Sequence, residues 1–403
     1  MGAASLQLQS TGATDIFLVN KPEINIFKYT YYRYVNFATD TFELNLNQDA
    51  QFGVTKVTVD IPKKGHLLSK LYLKLSLPKL NRVDGSYVCW SDALGYSIFS
   101  KPIELEIEGI VVDRLYPVCM DMLDELSNSD KRVGINQMIL KSDIYRSAMH
   151  NADQPTELLI PLDFWFTKQY NLALPLLSTI KQDIAINFYF RPFDEVINYD
   201  GNIGALNTTI TNSSVFAEYI YLDDTILEQF QKQKHQYIIE QQFYHGDETI
   251  NENRTLFTGK INFQNPCKEL LFACVDDTNL ENNNYFNYGR RSDNMSLVTD
   301  ATLYLDGRHR FNNNFLPESM FRQYYPNNIH SVIPDKYMYV MPFCLQPEKN
   351  QPTGAINLHS YDEVNLVLRM RAGNPKCQVH IYGIVYNIVT IEKGCLKFEF
   401  MTQ

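Results

Sequence analysis

What this chain lacks sets the first limits on its fold and chemistry. Only 2 of its 403 residues are Trp, and no window reaches 18 consecutive apolar residues, so no membrane-spanning helix is expected. The opening stretch MGAASLQLQS has neither a basic n-region nor an apolar h-region, so a secretory signal is not expected either. Gly2 follows Met1, but Leu6 stands where a myristoylation signal wants Ser or Thr. Positive charge is also in deficit: 46 acidic against 36 basic residues leave a formal charge of −10, the wrong sign for a protein that coats nucleic acid directly. The seven Cys, at 89, 119, 267, 274, 344, 377 and 395, form no CxxC pair and are odd in number. Reduced, buried thiols are therefore expected rather than a disulfide framework or a zinc site.

Catalytic constellations are missing as well. There is no HExxH, no GxSxG elbow, no GxxxxGK[ST] loop and no GxGxxG turn. The eight His, at 66, 150, 235, 245, 309, 330, 359 and 380, never make the HxH pair that a cupin-like metal site uses. His309 in LDGRHRF reads as part of a tight polar hairpin and His66 in KKGHLL as a turn residue. Glu104, Glu106 and Glu108 recur on one face of a strand, which describes a solvated face better than a metal site, and Asp276-Asp277 in a polar loop reads the same way. Trp90 and Trp165 could stack on sugar in a lectin-like module, but lone Trp residues beside strands are more often core or interface. No catalytic, cofactor-binding or metal-binding residue is predicted, and no cofactor.

What is present is strand. Aromatics make up 13% of the chain, carried by 26 Tyr and 24 Phe, a composition that suits half-buried pleated surfaces. Period-two alternation places Val57, Val59 and Ile61 on one face, then Leu71, Leu73, Leu75 and Leu77, then Leu105 and Ile107, then Ile184, Ile186, Phe188 and Phe190. Helices are few: Pro117 opens one carrying Met120, Leu123 and Leu126, and Asp223 caps another carrying Ile226, Leu227 and Phe230. The second ends in Lys232 and Lys234, as the helix dipole prefers, and divides the chain nearly in half. After it, strand-like runs resume at 237–246, 256–263, 269–275, 301–307, 364–370 and 379–389.

The halves echo each other in order. IPLDF (160–164), ALPL (173–176) and DIAINFYF (183–190) correspond to MPFCL (341–345), AINL (355–358) and EVNLVLRM (363–370), which reads as a duplicated β-domain. Two polar stretches, 192–214 and 276–298, the latter with Asn282, Asn283 and Asn284 in a row, are expected to be long surface loops. Many strands, two similar halves and large loops predict sandwiches or jelly rolls.

The stretch GATDIFLVNKPEINIFKYTYYRYVNFA (12–38) resembles the opening of major capsid proteins of nucleocytoplasmic large DNA viruses, such as chloroviruses and iridoviruses. The resemblance continues through 52–78, IELEIEGIVVDRLY (103–116), NLALPL (171–176), YIIEQ (237–241), LYLDGRHRF (303–311) and QPTGAINLHSYDEVNL (351–366). It implies an all-β fold of two consecutive eight-stranded antiparallel jelly rolls with a few short helices. The implied layout is an N-terminal arm at 1–23, a first jelly roll at 24–222, a linker helix at 223–235 and a second jelly roll at 236–403. It also implies a structural protein that catalyses nothing. As a homotrimer it would build pseudo-hexagonal capsomers of an icosahedral double-stranded DNA virus shell. Its partners would be neighbouring capsomers and minor capsid proteins, with an internal membrane nearby and no direct nucleic acid. Such a protein is made and assembled in host cytoplasm and ends in the virion. Two departures, Pro62-Lys63-Lys64-Gly65-His66 where the family turn reads Arg-Asn-Gly-Asp, and shorter loops, leave a scaffold or minor capsid paralogue as the alternative. Sequons at Asn207, Asn212, Asn253 and Asn294 are not expected to carry conventional glycans on a cytosolic route.

Overall fold

Leu71, Leu73, Leu75 and Leu77 all turn to one side of a strand that runs from Leu67 to Leu77, and all four are shielded from solvent. Between them Lys70, Tyr72 and Lys74 are only half-buried, as a pleat of period two requires. The computed structural model describes residues 2–10, 12–80, 87–127, 129–141, 156–200, 208–312 and 314–400. It falls into two units, Met1–Phe37 and Ala38–Gln403. The first has two short helices, Ala3–Gln9 and Ile16–Val19, neither with a buried residue.

Strands of the first half are β1 (Phe37–Asn45), β2 (Val57–Asp60), β3 (Leu67–Leu77), β4 (Tyr87–Trp90), β5 (Ile103–Ile107) and β6 (Ile110–Leu115). They continue with β7 (Thr156–Pro161), β8 (Leu174–Pro175), β9 (Ile184–Phe188), β10 (Ile197–Asp200) and β11 (Asn212–Leu222). Eight of them form the four-stranded sheets β1-β11-β3-β7 and β2-β9-β5-β6; β8 pairs with the start of β3, and β4 with β10 in a separate ribbon. Val59, Leu105 and Ile186 of one sheet meet Leu73 and Val215 of the other in a single core.

The second half contributes β12 (His235–Tyr244), β13 (Glu248–Ile250), β14 (Leu256–Lys260), β15 (Pro266–Asp276), β16 (Val298–Leu305) and β17 (Arg308–His309). Then come β18 (Leu316–Pro317), β19 (Met338–Pro342), β20 (Ile356–Asn357), β21 (Val364–Met370), β22 (Cys377–Glu392) and β23 (Cys395–Phe398). Their principal sheets are β12-β22-β15-β19 and β14-β21-β16-β17. Ranked along the chain, the eight principal strands of each half lie in the same order: first, eighth, third, sixth in one sheet, and second, seventh, fourth, fifth in the other. That connectivity is a jelly roll, present twice.

The sequence echo falls on equivalent elements. Ile160-Pro161 and Met341-Pro342 close the sixth strands, and β8 and β20 both pair with third strands before short 3-10 turns at Leu176–Thr179 and Leu358–Ser360. The fourth and fifth strands are joined in both halves by two residues with positive φ: Glu108 (52°) and Gly109 (77°), then Asp306 (48°) and Gly307 (76°). Such a turn matches the right-handed twist of the strands it joins, so LDGRHRF is the hairpin expected.

Both anticipated helices form, at Pro117–Leu126 with Pro at its first position and at Asp224–Lys232 between the halves. A further helix at Ser129–Met138 is weakly amphipathic and has no proline start, so local spacing does not mark it. Phe230 of the linker helix packs near Leu67, Ala173 and Ile220, and Ser178 Oγ donates to the Phe230 carbonyl (3.1 Å).

One sheet differs from the other three. β15 is buried at every position after Pro266, and β22 at twelve of its sixteen positions. Phe272, Cys274 and Ile381 face the second sandwich's own core, whereas Leu271, Ala273 and Tyr382 join the core of the first half. Two-sided burial explains the unbroken apolar run ELLFACV, since a strand with no wet face has no reason to alternate. Close packing also fixes Gly383, where a Cβ would lie 2.6 Å from the Phe263 ring.

Leu73→Asp tests the face assignment of β3. Leu73 lies opposite Val215 and Ile160 with no exposed surface, so a carboxylate there has no partner and destabilises by about 4 kcal/mol or more. Size-exclusion chromatography and circular dichroism should find no folded species; a normally eluting protein would invert the register.

Candidate functional site

The seam between the sandwiches is where side chains of both halves converge. Its apolar part is the two-sided sheet just described; its polar part is made of three groups of contacts. In the first, the helix Pro117–Leu126 buries Asp121, Asp124 and Glu125. Lys141 Nζ lies 3.0, 2.8 and 2.8 Å from these carboxylates, and Lys336 of the second half lies 2.8 Å from Asp121 and 3.5 Å from Glu125. Tyr288 donates its hydroxyl to Asp121 Oδ2 at 2.9 Å. Burial alone would raise the Asp121 carboxyl, but the Lys141 and Lys336 ammonium groups outweigh it and hold the group below the ordinary carboxylate range.

The second group surrounds Glu240 of β12, which takes Lys168 of the first half at 3.1 Å and Lys268 at 2.5 Å. Beside it Gln241 Nε2 donates to the Val112 carbonyl (2.8 Å), Gln242 Oε1 accepts the Tyr116 N–H (3.0 Å), and Asn387 Nδ2 donates to Gln241 Oε1 (2.7 Å). The third group is the segment expected to be a long polar surface loop. Residues 276–298 instead begin with a helix, Asp277–Glu281, and bury Asn279, Phe286, Tyr288 and Leu297. Asn283 Nδ2 donates to the Asp194 and Ile197 carbonyls (both 2.9 Å), and the Tyr285 hydroxyl donates to the Glu195 carbonyl (3.0 Å) under the Arg191 guanidinium. The Asn run is a bridge to the first half; its amides replace the apolar periodicity that would have revealed burial. Of the other stretch, 192–214, residues 197–200 form β10 and residues 201–207, with the Asn207 sequon, lie outside the described residues.

The remaining singled-out residues are structural. Trp90 and Trp165 are fully buried and offer no face to a sugar. His66 Nδ1 accepts the Leu222 N–H at 2.9 Å, and His309 sits between Thr302 and the Tyr304 ring. Glu104 binds Arg114 and the Tyr189 hydroxyl, Glu106 binds Lys56 and Asn187, and Glu108 accepts the Asp183 N–H. Asp276 is buried and caps its helix through the Thr278 N–H, while also accepting from the Arg291 N–H. Six of the seven Cys are buried and all are free, and burial raises the Cys344 thiol to about 11. Among the described residues no three His, Cys, Asp or Glu are grouped to hold a metal ion, and no helix is long and apolar enough to cross a membrane; His150 lies outside them.

Two family models match in succession: major capsid protein N-terminus over residues 25–223, and large eukaryotic DNA virus major capsid protein over residues 227–397. The chain belongs to the major capsid proteins of large eukaryotic DNA viruses. Among its relatives, the major capsid protein of Phaeocystis pouchetii virus is 26% identical over 98% of both chains. That of Paramecium bursaria Chlorella virus 1 is 26% identical over 91% of this chain and 87% of its own. The solved PBCV-1 VP54 structure superposes with a TM-score of 0.79 at 22% identity, covering 94% of this chain and 100% of that one. The Faustovirus major capsid protein gives 0.75 at 11% identity, covering 96% of both. A double jelly roll is thus the shared fold, and the capsid protein is structural rather than enzymatic.

In this capsid protein the seam charges should act on stability. Asp121→Asn leaves the buried lysines under-compensated and should lower unfolding free energy by about 3 kcal/mol in urea titrations at neutral pH. Because the folded Asp121 is depressed below its unfolded value near 4, its stabilisation is present above that pH and lost as pH falls through the folded value. The variant should therefore lose less stability than the parent on acidification from pH 4 to 2.

Proposed function

We propose that three copies of this capsid protein form a pseudo-hexagonal capsomer that tiles an icosahedral shell around a double-stranded DNA genome. The observation that carries this reading is the repeated strand order. Two alike sandwiches per chain make six per trimer, so a three-fold assembly presents a near six-fold outline. Contacts between capsomers can then be individually weak and still hold the shell through multivalency. The net charge of −10 suits a shell that keeps its genome at a distance, with no direct nucleic-acid contact.

The domain layout follows the same reading: an arm at 1–23, jelly rolls at 24–222 and 236–403, and the linker helix at 223–235 between them. Residues 1–29 contain exposed Phe17, Leu18, Ile26 and Phe27. Such side chains suit an arm that lies under the capsomer against minor capsid proteins, near an internal membrane. Only parts of 79–101 are assigned to the outer surface, at exposed Lys79, Tyr87, Ser100 and Lys101; Val88 to Phe99 are almost wholly buried, and 81–86 lie outside the described residues. The protein is then a virion component assembled in host cytoplasm.

Light scattering on the purified chain should give three times 46.8 kDa; a stable monomer at micromolar concentration overturns the capsomer. Deleting residues 1–29 should leave the trimer intact and block particle formation in a co-expression assembly assay. Particles of normal yield would remove the arm's role, and loss of the trimer would move the arm into the subunit interface.

A further inference from the structure

We propose that Asp113 makes the seam between the two sandwiches a proton-coupled joint, held most firmly in acid and loosened toward neutral pH. Asp113 lies on β6, the strand that packs against β12 across the seam, and is 5% exposed. Its hydrogen bonds are sparse for a buried carboxylate. Oδ1 accepts the N–H of Arg114 at 3.0 Å and, more weakly, Gln241 Nε2 at 3.4 Å. Among the described residues it forms no ion pair.

The charges around it are engaged elsewhere. On its own strand the Arg114 side chain turns to Glu104 of β5, with Nε 3.2 Å from Oε1. From β12, Glu240 is taken by Lys168 and Lys268. After β7, Asp163 and Lys168 are both exposed; of the two, the Lys168 ammonium, which is paired with Glu240, pulls the Asp113 carboxyl down. Tyr116, after β6, is neutral at these pH values, because burial raises its hydroxyl to about 12. A void of about 10 Å³, bordered by Asp113, Leu123, Lys168, Glu240 and Gln241, lies between these groups. It offers room for at most about one water, far short of the hydration an ionised carboxylate has in solvent.

The consequence is a carboxyl that prefers its proton. Burial pushes it up to about 7, against the smaller opposing pulls of the Arg114 N–H, the Lys168 ammonium and the Gln241 amide. Once the seam opens, water restores a value near 4. Between these values the closed joint carries a proton that the open joint does not, so opening releases one proton. The opening constant therefore rises by up to about tenfold per pH unit from pH 5 to 7 and levels off above. His380 of β22 opposes this in whole-protein melting, because burial holds its imidazole down at about 4. The experiment must read the seam itself.

Hydrogen exchange of the β6 and β12 amides, corrected for intrinsic rates, is measured on the full chain from pH 5 to 8. The parent, Asp113→Asn and His380→Gln are compared. The expected result is a rising opening constant in the parent that flattens above pH 7, persists in His380→Gln and disappears in Asp113→Asn. A flat parent profile, or an unchanged slope in Asp113→Asn, overturns the proposal. Should Asp113→Asn not fold, the His380→Gln profile decides: a slope near one log unit per pH unit supports the joint, and a flat one refutes it.

Discussion

The sheet β12-β22-β15-β19 is buried on both faces along β15, β19 and most of β22, and the rest of the body is arranged around that fact. One face closes the second jelly roll through Phe272, Cys274 and Ile381; the other completes the core of the first through Leu271, Ala273 and Tyr382. Removing either partner would expose a contiguous apolar surface of a size that soluble proteins rarely leave open. The two sandwiches therefore belong to one compact unit although no strand of one pairs with a strand of the other among the described ladders.

An apolar seam gives adhesion without direction. Direction comes from the polar contacts at its rim and ends: Asp121 with Lys141 and Lys336, Glu240 with Lys168 and Lys268, and Asn283 on the Asp194 and Ile197 carbonyls. Such groups add modestly to net stability, since desolvation offsets much of their attraction. They exclude other placements strongly, because a shift of a few ångström would strand several buried charges at once. In the capsomer proposed above, a fixed angle between the two sandwiches would matter as much as stability, since the shell would inherit any error in it.

Duplication accounts for the economy of the design. The same strand order, the same two-residue turns at Glu108-Gly109 and Asp306-Gly307, and the same short pairing segments β8 and β20 occur in both halves. The seam is where the copies had to diverge, because the equivalent sheet of the first half, β1-β11-β3-β7, keeps an outer face of half-buried Lys70, Tyr72 and Lys74.

The sequence by itself determined the strands, their inward faces and the repeat. Alternation at Leu71 to Leu77 and at Ile184 to Phe188 leaves one register that buries the leucines and isoleucines, and Pro117 and Asp223 mark helices by local chemistry. The family resemblance, carried by whole-chain order, supplied the jelly-roll pairing that alternation cannot. Only the tertiary structure decided what lies between the halves. Residues 276–298 read as a solvated loop because Asn and Tyr carry no periodicity, yet they bridge to the first half through amide and hydroxyl donors whose acceptors are backbone carbonyls some 90 residues away. Asp113 carries no signal of burial in IVVDRL, and becomes buried because β12 arrives over it. Burial at a seam is set by a partner surface distant in sequence, and local spacing carries no record of that partner.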